Sequence, residues 1–233
     1  RPVSSAASDV YKRQGLYYKP GSLKAKNCIE GRHELVAFSK EYGIPHDVCG
    51  KVVVATDKKE LANMDRIFAI GTENRIEGIE KINADQVKDI EPHVESIGGI
   101  WVPCTGIVDF VAATKKMVEL ALAINKESKV LMGCEVQDIE KKDEYSILHT
   151  SKGTFQSNYQ VFCAGLQADR LAKKDGVDLK EKVVGFRGDY YELTPQAQHK
   201  VKNLIYPVPN PDFPFLGVHF TRMTNGEIEC GPN

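Results

Sequence analysis

The stretch Val161-Phe162-Cys163-Ala164-Gly165 constrains the fold more than any other part of this 233-residue chain. It is an apolar run too short for a helix, bounded by polar residues and closed by two small ones, so it reads as a strand buried in a parallel sheet. Residues 167–174 follow with a helical pattern. A strand that ends in small residues just before a helix lets backbone approach a ligand at the carboxyl ends of the strands. Ordinary strand-to-helix packing is the alternative. Short β-type stretches at 129–132, 136–140, 145–149 and 154–156 precede it, with Lys142-Asp143 and Ser151-Lys152-Gly153 supplying turns. A meander therefore leads into the strand.

Elsewhere the signals alternate. A helix opens at Pro20-Gly21-Ser22, carries Cys28, Leu35, Phe38 and Tyr42 on one side, and stops at Gly43 and Pro45. Residues 51–55 form a β-branched strand. Asp57 with Glu60, and Asn83 with Gln86, have capping-box spacing. The first opens a helix bearing Leu61, Met64, Ile67 and Phe68; the second opens a short helix ending before Pro92. Residues 99–102 read as a strand. Asp109 can cap a helix to about residue 125, apolar nearly all round and so expected to be buried. Residues 182–193 and 204–229 return to β character, broken by Pro207, Pro209, Pro211 and Pro214. The interleaving predicts a mixed α/β fold.

Composition removes several function classes. With 42% hydrophobic and 27% charged residues the chain has an ordinary globular balance, and a net charge of −1 gives no electrostatic case for nucleic acid or an anionic membrane. No apolar run approaches the roughly 20 residues of a membrane span, and the N-terminus lacks a signal-peptide core. The six cysteines include no C-x-x-C, which points to reduced thiols in a cytosolic setting and against zinc. There is no P-loop, nucleophile elbow, H-E-x-x-H or Gly-x-Gly pair, so the dinucleotide fingerprint G-x-G-x-x-G is missing. Residues 4–14 reproduce the in-frame translation of a transposase sequencing adapter. Residues 1–14 are accordingly read as a disordered adapter-derived tail, and the chain as a fragment cut at both ends, its own sequence starting near Gly15.

Two motifs could carry chemistry. Gly185-Phe186-Arg187-Gly188-Asp189-Tyr190-Tyr191 sets an arginine between glycines on a strand, where its forked guanidinium could clamp a carboxylate. A surface arginine paired with an acid is the plainer reading. Phe215-Leu216-Gly217-Val218-His219-Phe220-Thr221-Arg222 places His219 and Arg222 near the end of an apolar strand. An imidazole beside an arginine has a lowered pKa and suits a general base; a hydrogen-bonded core histidine is the alternative. His33, His46, His93, His149 and His199 read as surface residues, and Lys24 and Lys26 as a solvated helix face. No His/Cys/carboxylate spacing suggests a metal.

The blocks from Gly15 to Ala25, Cys49-Gly50-Lys51, Glu91-Pro92, Val102-Pro103 with residues 105–109, Cys163-Ala164-Gly165-Leu166 with Ala168-Asp169-Arg170, Phe186-Arg187-Gly188, residues 204–209, residues 215–223 and Gly231-Pro232-Asn233 occur in a familiar order. Together they resemble the L-2-hydroxyglutarate oxidases and dehydrogenases of the FAD-dependent, D-amino-acid-oxidase-like group. The resemblance implies a partial glutathione-reductase-like FAD-binding fold with a β-meander, plus an antiparallel-sheet substrate domain. Residues 15–50 and 98–178 would belong to the FAD-binding domain, and 51–97 and 179–233 to the substrate domain. The implied reaction is oxidation of L-2-hydroxyglutarate to 2-oxoglutarate, with hydride passing to flavin N5 and a base taking the hydroxyl proton.

A dicarboxylate substrate makes Tyr18, Arg187, Tyr191, His219 and Arg222 the binding candidates, and His219 and Arg187 the catalytic ones. A histidine upstream of Gly15 competes for the base role. Glu135 and Val136 resemble the adenine-contacting segment, and Cys163, Ala164 and Gly165 the backbone wall of the cofactor site. Oxygen or a membrane quinone is the expected electron acceptor, and the expected location is cytoplasmic or peripheral at the inner face of the membrane. The pyrophosphate loop, the acidic ribose ligand and the C-terminal flavin-contacting segment are not in this sequence. The chain alone is therefore expected neither to hold FAD nor to turn over, and to expose apolar surface. The competing readings are another FAD oxidase of the same fold, acting on glycerol 3-phosphate or an amino acid, and a non-catalytic carboxylate-binding domain. An amine substrate would call for a carboxylate or an aromatic cage, whereas the candidates here are cationic.

Overall fold

The computed structural model describes residues 15–212 and 217–232, so the expected adapter-derived tail, and Phe215 and Leu216 of the histidine motif, lie outside the described residues. The chain divides into two compact units, one made of the residues up to Ala121 with those from Gly188 onward, the other of Leu122–Arg187.

The first unit is built on strand β2 (Lys51–Ala55), buried at all five positions. A continuous β-branched run of this kind needs cover on both faces, and it gets it. β2 pairs in parallel with β10 (Leu204–Pro207) and antiparallel with β4 (Gly98–Val102). With β3 (Glu80–Ile82), β9 (Tyr191–Glu192), β11 (His219–Arg222) and β12 (Ile228–Gly231) they form a seven-stranded sheet of order β3-β4-β2-β10-β11-β12-β9. One face packs Val53, Ile100, Leu204 and Tyr206 with Met64 and Ile67 of helix α2 (Lys58–Glu73) and with Leu16. The other packs Val52, Val54 and Ile205 with Val87 of α3 (Ala84–Ile90) and Ile228. A two-stranded ribbon of β1 (His46–Asp47) and β5 (Ile107–Val108) completes the strands of this unit.

Local capping chemistry sets the helix starts where the spacing predicts them. Ser22 Oγ accepts from Ala25 N at 3.2 Å to open α1 (Leu23–Glu41). Asp57 accepts from Lys59 and Glu60 at the start of α2, and Asn83 and Gln86 bond reciprocally at 2.9 Å at the start of α3. Asp109 Oδ1 accepts from Ala112 N at 2.9 Å and opens α4 (Phe110–Ile124). The expected burial of α4 is not found. Only Ala113 is buried, while Val111 is 64% and Ile124 87% exposed. A helix apolar on all sides needs neighbours on all sides, and the described residues cover one.

The second unit carries the expected meander, β6 (Val136–Lys141), β7 (Ser146–Thr150) and β8 (Gly153–Ser157), all antiparallel, and the short helix α5 (Ala168–Lys174). Residues 161–164 are irregular rather than a buried strand; Val161 is 87% exposed, and Gly165 starts a 3-10 turn. A parallel strand exists only against a partner, and no strand among the described residues pairs with it. The same reason applies to residues 129–132, which form no strand, and to residues 182–193, of which only Tyr191–Glu192 joins a ladder. Arg187 is thus exposed on irregular backbone and not on a strand.

Candidate active site

Three neighbouring strands bring Lys51, Tyr206 and His219 onto one face of the sheet. In the parallel β2–β10 ladder Lys51 lies opposite Leu204, and in the antiparallel β10–β11 ladder Ile205 lies opposite Phe220. Tyr206 and His219 therefore sit side by side, with rings stacked at 4.4 Å between centroids and 17° between planes. Tyr190 meets His219 edge-on at 6.0 Å. Lys51 is fully buried, its Nζ 5.0 Å from the centre of the Tyr206 ring and 5.1 Å from that of Tyr17. Burial pushes its ammonium pKa well down, and the nearby thiols of Cys104 and Cys28 work the other way.

His219 is 1% exposed. Its Nδ1 lies 3.0 Å from the Gly217 carbonyl, which can only accept, so Nδ1 carries the proton and Nε2 is left as the acceptor. Nε2 is buried with no hydrogen-bond partner among the described residues. Burial lowers the His219 pKa, the Gly217 carbonyl opposes this, and the Lys51 charge lowers it further. Arg222 is not among the causes. Strand alternation puts His219 and Thr221 on the buried face and Arg222 out of step with them, and the Arg222 guanidinium pairs with Asp47.

The remaining candidates are dispersed. Tyr18 helps line a cavity of about 990 Å³ with Tyr17, Lys24, Cys28, Arg32 and Met117; burial, and then the Cys28 charge, raises its pKa. The loop that carries it is tied to the end of α2 by Asn74, whose Nδ2 donates to the carbonyls of Gly15 at 2.7 Å and Tyr18 at 2.9 Å. Asn74→Ala leaves both carbonyls without this donor, so we expect a loss of about 2 kcal/mol and faster amide exchange at Leu16 and Tyr17. Unchanged exchange there would show that the loop is held by other contacts. Tyr191 lies on the edge strand β9, 65% exposed. Arg187 falls in the other compact unit. Sequence reading assigned no role to Lys51, Tyr206 or Asn74. A lysine heading the β-branched run Val52-Val53-Val54 was the available signal, since every other residue of that strand calls for burial.

A family model for FAD-dependent oxidoreductases matches residues 3–233. The chain belongs to the FAD-dependent oxidoreductase family. Among curated proteins, it is 47% identical over 222 residues to an L-2-hydroxyglutarate dehydrogenase of Indibacter alkaliphilus, covering 94% of this chain and 55% of the relative. It is 37% identical over 222 residues to the L-2-hydroxyglutarate dehydrogenase of Escherichia coli strain K12, covering 94% of this chain and 51% of that protein. The chain thus spans about half the length of the curated relatives it matches. Among solved structures, the FAD-bound L-α-glycerophosphate oxidase of Mycoplasma pneumoniae aligns with a TM-score of 0.79 at 22% identity, over 94% of this chain and 58% of that one. At that identity the likeness speaks for the fold.

The second unit holds the residues that the family resemblance assigns to a cofactor wall. Residues 161–164 belong to no ladder. Gly165, at φ +54, has nothing within 4 Å of where a Cβ would stand, so its backbone is open to close approach. At the meander start, Glu135 and Ser151 are held together by Glu135 N donating to Ser151 Oγ and Ser151 N to the Glu135 carbonyl, both at 2.9 Å. The Glu135 side chain is left at the surface.

Proposed function

We propose that the protein to which this chain belongs oxidises L-2-hydroxyglutarate to 2-oxoglutarate. The observation that carries this reading is 47% identity to an L-2-hydroxyglutarate dehydrogenase over 94% of the chain. FAD, held through Glu135, Val136, Cys163, Ala164 and Gly165, supplies the two-electron acceptor when bound. The neutral His219 takes the substrate hydroxyl proton on Nε2. Arg187, exposed and bidentate, clamps a carboxylate, while Tyr18, Tyr191 and Arg222 serve as further substrate contacts. Arg222 does so in competition with Asp47. Residues 15–50 and 98–178 belong in this reading to the FAD-binding domain, and 51–97 and 179–233 to the substrate domain.

No helix among the described residues is long and apolar enough to cross a membrane. We place the enzyme in the cytoplasm, free or at the inner face of the membrane, with oxygen or a quinone as final acceptor. Assay of the full-length protein with each acceptor separates the two.

Dye-coupled turnover of the full-length protein should be seen with L-2-hydroxyglutarate and not with the D-isomer, glycerol 3-phosphate or amino acids. Turnover with glycerol 3-phosphate alone would overturn the substrate reading. His219→Gln should lower kcat/KM by about 10²- to 10⁴-fold, the usual worth of a general base, with the flavin spectrum retained. Because the folded-state pKa of His219 is depressed, the acid limb of kcat/KM should lie below the ordinary histidine range.

A further inference from the structure

We propose that Lys51 is the positioning residue of His219: its ammonium, held against the same Tyr206 ring on which His219 stacks, keeps the imidazole uncharged and its Nε2 a proton acceptor. The inference deepens the reading of His219 as the base and rests on it.

Three observations carry it. Lys51 is fully buried on β2, within cation–π range of two tyrosine rings. His219 shares one of those rings at stacking distance, and its own Nδ1 is occupied by the Gly217 carbonyl. Its Nε2 is buried and unpartnered among the described residues, so a proton arriving there would be a second positive charge in the same low-dielectric core. Added to burial, charge repulsion across the Tyr206 ring then disfavours a second proton at the imidazole while the Lys51 ammonium is present. An arginine in Lys51's place would keep the charge, and a methionine would remove it at similar volume.

Other groups bear on the imidazole. Tyr206 and Tyr190 pack against it, and burial holds the Tyr190 pKa up. On β12, His219 pairs with Gly231, with the Cys230 thiol and the Glu229 carboxyl on the next two residues; burial raises both of their pKa values. Glu192 on β9 lies opposite Glu229. The Arg222–Asp47 pair is out of step with His219 on its own strand. Among the described residues, Lys51 is the one cation that shifts His219.

The test is a titration of His219 by histidine-selective NMR in the full-length, FAD-loaded protein, compared with Lys51→Met and Lys51→Arg. In folded Lys51→Met the His219 midpoint should rise by roughly half a pH unit or more, and in Lys51→Arg it should stay near the wild-type value. A midpoint unmoved in Lys51→Met, or raised equally in both variants, overturns the proposal. Should Lys51→Met fail to fold, the wild-type protein still decides. The Lys51 ¹³Cε resonance must shift through the His219 transition, and a flat response overturns the coupling. If the titrations behave as expected while His219→Gln keeps full turnover, the base reading fails and the Lys51–His219 coupling stands.

Discussion

Glu91→Ala is expected to remove about 3 kcal/mol or more of folding stability, since each buried N–H left unpaired costs about 1–3 kcal/mol. Glu91 has no exposed surface, and its carboxylate accepts from the backbone of Lys202 at 3.0 Å and of Asn203 at 2.6 Å. Its own N–H donates to Val87, so it stands at the end of α3 and fastens the chain just before β10 begins. The residues it joins are 111 positions apart in sequence. The latch therefore sets where β10 enters the sheet, and with it the register that lays Leu204 against Lys51. Alanine leaves both amides, on exposed Lys202 and half-buried Asn203, without this acceptor. Glutamine keeps one carbonyl acceptor but turns an NH₂ toward the second amide, so its loss should fall between wild type and alanine. Chemical denaturation of the three chains in parallel, read by far-UV circular dichroism, gives the comparison. A loss below about 1 kcal/mol for alanine would mean that water or another acceptor replaces the carboxylate, since that is the worth of an ordinary exposed contact.

What the sequence made legible follows the range of the interactions involved. Asp57, Asn83 and Asp109 announce their helices because a cap is satisfied within three residues, and the structure finds each helix there. The meander is legible for the same reason, its pairings being joined by short turns. Residues 161–165 and 182–190 carry strand-like patterns, yet a ladder needs a neighbour and local pattern names none. The candidate site divides similarly. His219 was visible as a histidine on an apolar strand, and its burial matches that reading. The partner first assigned to it, Arg222, is three residues away on a strand of period two, so alternation separates them. Lys51 meets the Tyr206 ring on which the imidazole stacks only because β2 and β10, about 150 residues apart, run side by side in parallel. Nothing local encodes that pairing.

Gly50→Ala is expected to be at least as damaging, and it probes the same strand from its entry. Gly50 is buried at φ +85, and a Cβ there would fall 2.0 Å from Cη2 of Trp101 and within 2.8 Å of two more ring carbons. Its N–H donates to the Thr105 carbonyl at 2.8 Å and its carbonyl accepts from Leu204 at 3.3 Å, so the backbone is fixed from both sides and cannot swing away. Left-handed strain costs about 1–2 kcal/mol for a residue with a Cβ, and overpacking a filled site about 1–3 kcal/mol more. The relief available is expulsion of the indole, which lies opposite Val52 on β4. Gly43→Ala separates the two contributions. Gly43 has φ +64 with nothing within 4 Å of the would-be Cβ, so that variant carries the strain without the clash. Trp101 is the one tryptophan of the chain, and its emission reports the contact directly. Gly50→Ala should lose roughly 3 kcal/mol or more and shift that emission to longer wavelength, while Gly43→Ala should lose about 1 kcal/mol with emission unchanged. Equal losses with unchanged emission would assign the whole effect to backbone conformation and leave the indole contact without weight.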